Sequence, residues 1–157
     1  MTRTVAVTRV VDLPADAAWD LVVDPRHHPR WIPLTRIRVT GLPLGVGTRV
    51  HAVSGPLTGR GVPGLPDNMR LNVFTPPAPG RPGEARFTKV GPVLLGSAGI
   101  LVAAVDDGRA AVTWTEDVHL AGPLPRAATA AVLAPVLALM LRFALFRVQR
   151  DARRGRL

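Results

Sequence analysis

The sequence predicts an antiparallel α+β domain: one strand, two short helices, six further strands and one long terminal helix. Three observations lead there. Strand-like runs follow one another between turn signals and stay apart from the helical ones, the arrangement of α+β folds and not of alternating βαβ units. The last apolar run, Leu124 to Val148, holds Ala127 to Leu141 without a charge and then only Arg142 before Phe143 to Phe146. A chain of 157 residues that is 47% hydrophobic is the size of one domain. Such a domain buries roughly 68–70% of its unfolded surface, and the composition excludes wholesale disorder.

Taken in order, Thr4 to Val11 is β-branched and reads as a strand, with Val5, Val7 and Val11 on one face and Arg9 between them. Asp12-Leu13-Pro14 ends it. Pro14 and Asp16 suit a first helical turn, and Ala18, Leu21 and Val22 make the apolar face of a short helix beside Trp19. Asp24-Pro25 repeats the start signal, Asp as N-cap and Pro as first helical residue. Strands follow at Thr35 to Thr40, Thr48 to Val53, Met69 to Thr75, Ala85 to Val90, Ser97 to Val105 and Ala110 to His119. Gly41 to Gly47, the Gly/Pro-rich Ser54 to Pro66, Pro76 to Gly83 and Asp106-Asp107-Gly108 are the turns and loops between them. Residues 1–150 form one domain, and 151–157 a basic tail.

In the terminal helix Pro125 suits the first turn, and Pro135 is expected to bend the axis. Ala131, Pro135, Ala138, Arg142 and Gln149 share one side, small or polar. Leu133, Val136, Leu137, Met140, Phe143 and Ala144 share the other, which is expected to lie on the sheet. A membrane span is the competing reading, but a span needs about 20 apolar residues, and extending the run places Arg142 inside the bilayer. The face asymmetry favours a packed helix.

The net charge is +9, of which +4 sits between Arg147 and Leu157. Tyr is absent and aromatic content is 4%, so no stacking platform for nucleic acid is visible. Nucleic-acid binding is therefore not expected. The absence of Cys removes disulfide and thiolate chemistry. Arg3, Arg9 and Asp12 interrupt the N-terminal apolar residues, so no signal-peptide core is visible and a cytoplasmic location is expected. His27 and His28 are adjacent and point about 100° apart on a helix, while His51 and His119 stand alone; all four read as surface residues, and no metal is expected. The glycine runs Gly41 to Gly47 and Gly55 to Gly61 match neither dinucleotide-binding nor Walker patterns. No nucleophile elbow is present.

Asp12-Leu13-Pro14, Ala18-Trp19, Asp24, His28 and Trp31-Ile32-Pro33 come in an order that resembles a known superfamily. Gly45-Val46-Gly47-Thr48, Lys89-Val90-Gly91-Pro92, Thr113-Trp114-Thr115-Glu116 and the long terminal helix agree with it. The chain resembles the START-like, helix-grip (SRPBCC) proteins that include polyketide cyclases/dehydrases and lipid-transport proteins. The resemblance spans nearly the whole chain and rests on order and spacing. It implies a curved seven-stranded sheet wrapped around the C-terminal helix, with an apolar cavity between them; no cofactor is expected. The group contains enzymes, carriers and sensors, so the fold alone does not fix the function.

Strand alternation suggests what lines such a cavity. Met69, Leu71 and Val73 are expected inward in the fourth strand, Phe87 and Lys89 in the fifth, and Val112, Trp114 and Glu116 in the seventh. Leu133, Leu137, Met140 and Phe143 are the expected contribution of the helix. Lys89 and Glu116 form the sharpest pair. Facing inward they supply a proton donor and acceptor in an apolar space; alternatively they lie at sheet ends and reach water. The sequence thus points to binding or transport of a hydrophobic small molecule, lipid-like or polyketide-like. A cyclase or dehydratase in the same cavity is one alternative. A peripheral membrane or partner-binding module is another. It would use the terminal helix and Arg147, Arg150, Arg153, Arg154 and Arg156, which otherwise form a solvated helix end and in this reading touch anionic lipid weakly.

Overall fold

The computed structural model describes residues 4–56, 60 and 63–156. Seven antiparallel strands form one sheet: β1 (Val5–Val11), β2 (Thr35–Thr40), β3 (Arg49–Ser54), β4 (Leu65–Thr75), β5 (Gly83–Val90), β6 (Leu94–Asp106) and β7 (Arg109–Leu120). Their order is β1-β7-β6-β5-β4-β3-β2. Helix α1 (Ala15–Val23) and a 3₁₀ turn (Pro25–Arg30) join β1 to β2, and α2 (Arg126–Arg153) is the last element. The strands β1 and β2, consecutive in sequence, thus lie at opposite edges of the sheet. The segment between them packs α1 on β6 and β7 and the 3₁₀ turn on β2. This is the expected α+β architecture, a curved antiparallel sheet with a long helix laid across it.

Local chemistry accounts for the crossing segment. Asp24 caps the 3₁₀ turn by accepting from the Arg26 N–H at 2.9 Å. Trp19 packs against Phe74 with the rings tilted by 54° and their centroids 5.4 Å apart. Gly83 makes room for it, because a Cβ there would come within 2.6 Å of the Trp19 ring. The Trp31 indole N–H donates to Asp151 Oδ2 at 3.3 Å, tying the end of the 3₁₀ turn to the last turn of α2.

Helix α2 departs from expectation in two ways. It runs through Arg153, three residues into the stretch read as a tail. It is also rotated. The buried stripe is Ala130, Leu141, Ala144, Leu145 and Val148, packed on β1 and β7. Val136 and Phe143, expected inward, are 66% and 43% exposed. The difference amounts to about one residue, near 100° of rotation. Large apolar residues surround this helix, so size alone does not select the inner face. Alanines at 130 and 144 let the backbone approach the sheet. Gln149, placed outward by its polarity, is buried because it is used: its Oε1 accepts the Asp12 N–H at 2.9 Å and its Nε2 donates to Asp12 Oδ2 at 3.0 Å.

The Gly/Pro-rich loop after β3 is shorter than Ser54 to Pro66, because β4 begins at Leu65. Residues 57–59 and 61–62 of that loop lie outside the described residues, as do 1–3 and 157.

Candidate functional site

Between the 3₁₀ turn, the inner faces of β2 to β7 and α2 lies a narrow, mostly apolar cavity of about 70 Å³. Ile37, Ala52, Met69, Phe87, Ile100, Trp114 and Met140 supply apolar wall. Thr35 and Ser54 supply a polar stretch, their hydroxyls 2.8 Å apart. Two carboxylates, Asp67 and Glu116, also face it. The volume is that of a few waters and well below the roughly 300–1,000 Å³ of a drug-sized ligand site. The cavity expected from the resemblance is thus present but tight.

Behind the carboxylates sits Lys89, 4% exposed. Its ammonium donates to Asp67 Oδ2 at 2.6 Å and lies 3.3 Å from Glu116 Oε2. Sheet register explains the meeting. Lys89 stands opposite Gly96, and Glu116 opposite Ala98, both on β6. Residues on alternate strands are normally separated by about 9–10 Å. The small side chains at 96 and 98 leave the intervening strand low, so two long side chains reach across it. Gly96 itself is required: its φ is +126°, and a Cβ would fall 1.9 Å from the Asp117 carbonyl oxygen.

The electrostatics of the cluster are lopsided. Burial opposes the charge of Lys89, but the Glu116 and Asp67 carboxylates outweigh it and raise the ammonium above its ordinary value. Burial pushes the Glu116 carboxyl up; Lys89 works against that rise and Asp67 adds to it. One cation thus faces two acids, and Glu116 is the one pushed toward its protonated form. Glu116 Oε2 and Asp67 Oδ1 are buried without a hydrogen bond, the 3.3 Å approach of Lys89 lacking hydrogen-bond geometry. Such atoms are uncommon in native proteins; among the described residues Asp117 Oδ1, His119 Nδ1 and Arg147 Nε share the condition, and none of them lines the cavity.

His28 closes the cavity from the 3₁₀ turn. It was expected at the surface, yet it is 5% exposed and packs on Trp114 at 4.9 Å between ring centroids. Its Nε2 donates to the Val22 carbonyl at 2.8 Å. Burial lowers its pKa to about 4, so the ring is neutral at pH 7.

Of the residues read from the sequence, Met69, Phe87, Trp114, Glu116 and Met140 line the cavity. Lys89 supports it from behind. Leu71 and Val112 are fully buried but belong to the packed core. Val73 points the other way: a register shift between Leu71 and Val73 pairs Val73 with the exposed Arg86 and turns Phe74 inward. Leu133 and Leu137 are half-buried outside the cavity wall. Phe143 is on the outer face of α2, under the Arg147 guanidinium at 5.5 Å, because of the helix rotation. Asp67 and His28 were not among the site residues. Asp67 was within reach, since alternation carried two residues back from Met69 places it inward. Pro66 argued against a strand there.

Over residues 2–153 the chain matches the family model described as polyketide cyclase/dehydrase and lipid transport. Among solved structures it is similar to the Zhui aromatase/cyclase from Streptomyces sp. R1128, with 22% identity, a TM-score of 0.60, and coverage of 98% of this chain and 95% of that one. It is similar to a START superfamily protein from Mycobacterium smegmatis, with 15% identity, a TM-score of 0.66, and coverage of 94% and 97%. A norcoclaurine synthase from Thalictrum flavum gives 14% identity, a TM-score of 0.64, and coverage of 100% and 98%. At these identities the likeness is one of fold. No curated protein matches the chain significantly. The family match covers nearly every residue of the sheet and of α2, and the chain belongs to the polyketide cyclase/dehydrase and lipid-transport family.

Proposed function

We propose that the protein binds a hydrophobic small molecule bearing a carbonyl or hydroxyl group in the cavity closed by His28 and Met140. One observation carries this reading: the buried Glu116 Oε2 and Asp67 Oδ1 atoms, without hydrogen bonds, stand in a mostly apolar wall. A ligand hydroxyl donates to a Glu116 or Asp67 oxygen, and a ligand carbonyl accepts from Glu116 when that carboxyl carries its proton. The apolar body of the ligand replaces contacts now made by Met69 and Met140. These are unbranched, flexible thioethers suited to moving aside, which is how a 70 Å³ space admits something larger.

A second reading, catalysis of cyclisation or dehydration, is favoured by the position of Lys89 against Glu116. In an aldol closure, ionised Glu116 takes a proton from the carbon between two carbonyls. The carbanion attacks a second carbonyl to form the carbon–carbon bond, and that oxygen receives the proton from Glu116. Lys89 keeps both charge states of Glu116 accessible and stays protonated throughout.

Binding of a naphthalene-sulfonate dye, displaced by palmitate or by a hydroxylated anthraquinone, tests the first reading. Ala52→Leu, which fills the cavity, is expected to abolish displaceable binding while the circular dichroism spectrum is unchanged. Displaceable binding that survives a folded Ala52→Leu protein sinks the proposal. For the second reading, Glu116→Gln is expected to lower turnover of a poly-β-ketone thioester by roughly 10²–10⁴-fold with affinity little changed.

A further inference from the structure

The outer face of α2 carries a continuous apolar stripe. Val132, Val136, Leu139, Phe143 and Phe146 are 73%, 66%, 69%, 43% and 50% exposed. They follow one another at helical spacing over about 21 Å. Exposed apolar surface of this extent is uncommon on a soluble monomer and marks an interaction face. The stripe ends in arginines. Arg147 lies over the Phe143 ring at 5.5 Å, and Arg9 of β1 over the Phe146 ring at 5.6 Å. Beyond Phe146 opens a groove of about 340 Å³ lined by Arg9, Val10, Gln149, Arg150, Arg153 and Arg154. Two acids stand near it and fix arginines in place: Asp151 pairs with Arg150 at 3.1 Å and Asp12 with Arg153 at 2.9 Å.

We infer that this face docks on an anionic lipid bilayer, with the stripe pressed into the interface and the arginine groove against acidic headgroups. Charge complementarity selects that occupant. A helix with one apolar face between cationic side chains is the form that lies in the membrane interface, and each arginine near an acidic surface adds to the attraction. A second copy of the chain brings a further net charge of +9 to a face rimmed by arginines, whereas an acidic bilayer brings the opposite charge. The helix does not itself span the bilayer in this arrangement, since Leu141, Leu145 and Val148 on its other face are 0% exposed against the sheet. The surface lies outside the ligand cavity, and the inference is independent of what the cavity binds.

Cosedimentation of the full chain with extruded vesicles tests this. Binding is expected to vesicles containing one-third phosphatidylserine and not to pure phosphatidylcholine, and to weaken as salt rises. Leu139→Asp with Phe143→Ser is expected to abolish it. Both positions are exposed, so the fold is retained. Arg9→Ala and Arg154→Ala are each expected to weaken it about fivefold. Several outcomes overturn the inference: no binding to either vesicle, equal binding to both, or bound protein that resists high salt and alkaline carbonate. A dimer in sedimentation equilibrium that Leu139→Asp dissociates would also overturn it, by giving the stripe to a second copy.

Discussion

Where α2 crosses β1 and β7, Leu141, Ala144, Leu145 and Val148 are completely buried against apolar strand faces. Further along the inner face, β2 to β7 and the 3₁₀ turn enclose a cavity into which Thr35, Ser54, Asp67, Glu116 and His28 project, with Lys89 just behind. The first half follows the ordinary rule that stability comes from removing apolar surface from water, about 1.5–3 kcal/mol for each large side chain. The second half buries charges that hydrophobic residues of the same size would replace at no loss. The contrast separates the part of the molecule built to hold the fold from the part that departs from the most stable arrangement.

The largest expected effect comes from Lys89→Met. It strands two carboxylates in an apolar space and is expected to cost about 3–5 kcal/mol in urea unfolding at pH 7. A cost near zero would mean that water reaches the cluster freely. Leu145→Ala, in the clamped half, is expected to cost about 3 kcal/mol through lost contacts and a residual hole. Its effect should be independent of pH, whereas that of Lys89→Met should shrink as pH falls and Glu116, pushed up by burial, takes on its proton.

His28 gives the cavity half a pH dependence of its own. Its folded pKa of about 4 lies below the ordinary 6.5. Below pH 6.5 the unfolded chain takes up a proton that the folded chain refuses, so stability falls as pH drops toward 4, by up to about 3 kcal/mol. His28→Gln is expected to flatten that slope in melts recorded between pH 4 and 7. An unchanged slope would place the ring in water. Glu116→Gln is expected to change stability by under about 1 kcal/mol, because burial already opposes the charge of this carboxyl and Gln keeps its shape without that charge. At the small end, Phe143→Ser should shift stability by no more than about 0.5 kcal/mol. A large loss there would restore the original orientation of α2.

Legibility in the sequence followed the same division. Strand alternation placed Phe87 and Lys89, and Val112, Trp114 and Glu116, on the inner faces they occupy. Period two tolerates no ambiguity once a single large residue is oriented. Thr35–Thr40 was legible to the residue, as was the Asp24 cap. The rotation of α2 was not legible. Apolar residues encircle it, and of the two polar residues used as markers, Arg142 and Gln149, the second is buried by its bonds to Asp12. The bulge after Leu71 was silent as well, since nothing at Asn72 announces it. In the site, Lys89 and Glu116 were visible as two charges on apolar faces. Their meeting was not, because it depends on Gly96 and Ala98 being opposite them on a strand whose register the sequence does not print. Asp67 and His28 were hidden by neighbouring prolines, Pro66 and Pro29, which read as turns.

The central claim is that Glu116 is a buried acid, pushed toward its protonated form, that meets the ligand in the cavity. The chain has two glutamates, Glu84 and Glu116. Glutamate labelled with carbon-13 at the carboxyl therefore gives two signals to follow by NMR. Glu84, paired with Arg86 on the surface, serves as the internal reference. The account predicts that the Glu116 signal titrates above the ordinary 4.5 and shifts when a hydroxylated anthraquinone is added, while the Glu84 signal does not respond to it. A Glu116 signal that titrates at or below 4.5 and ignores the ligand would contradict the account.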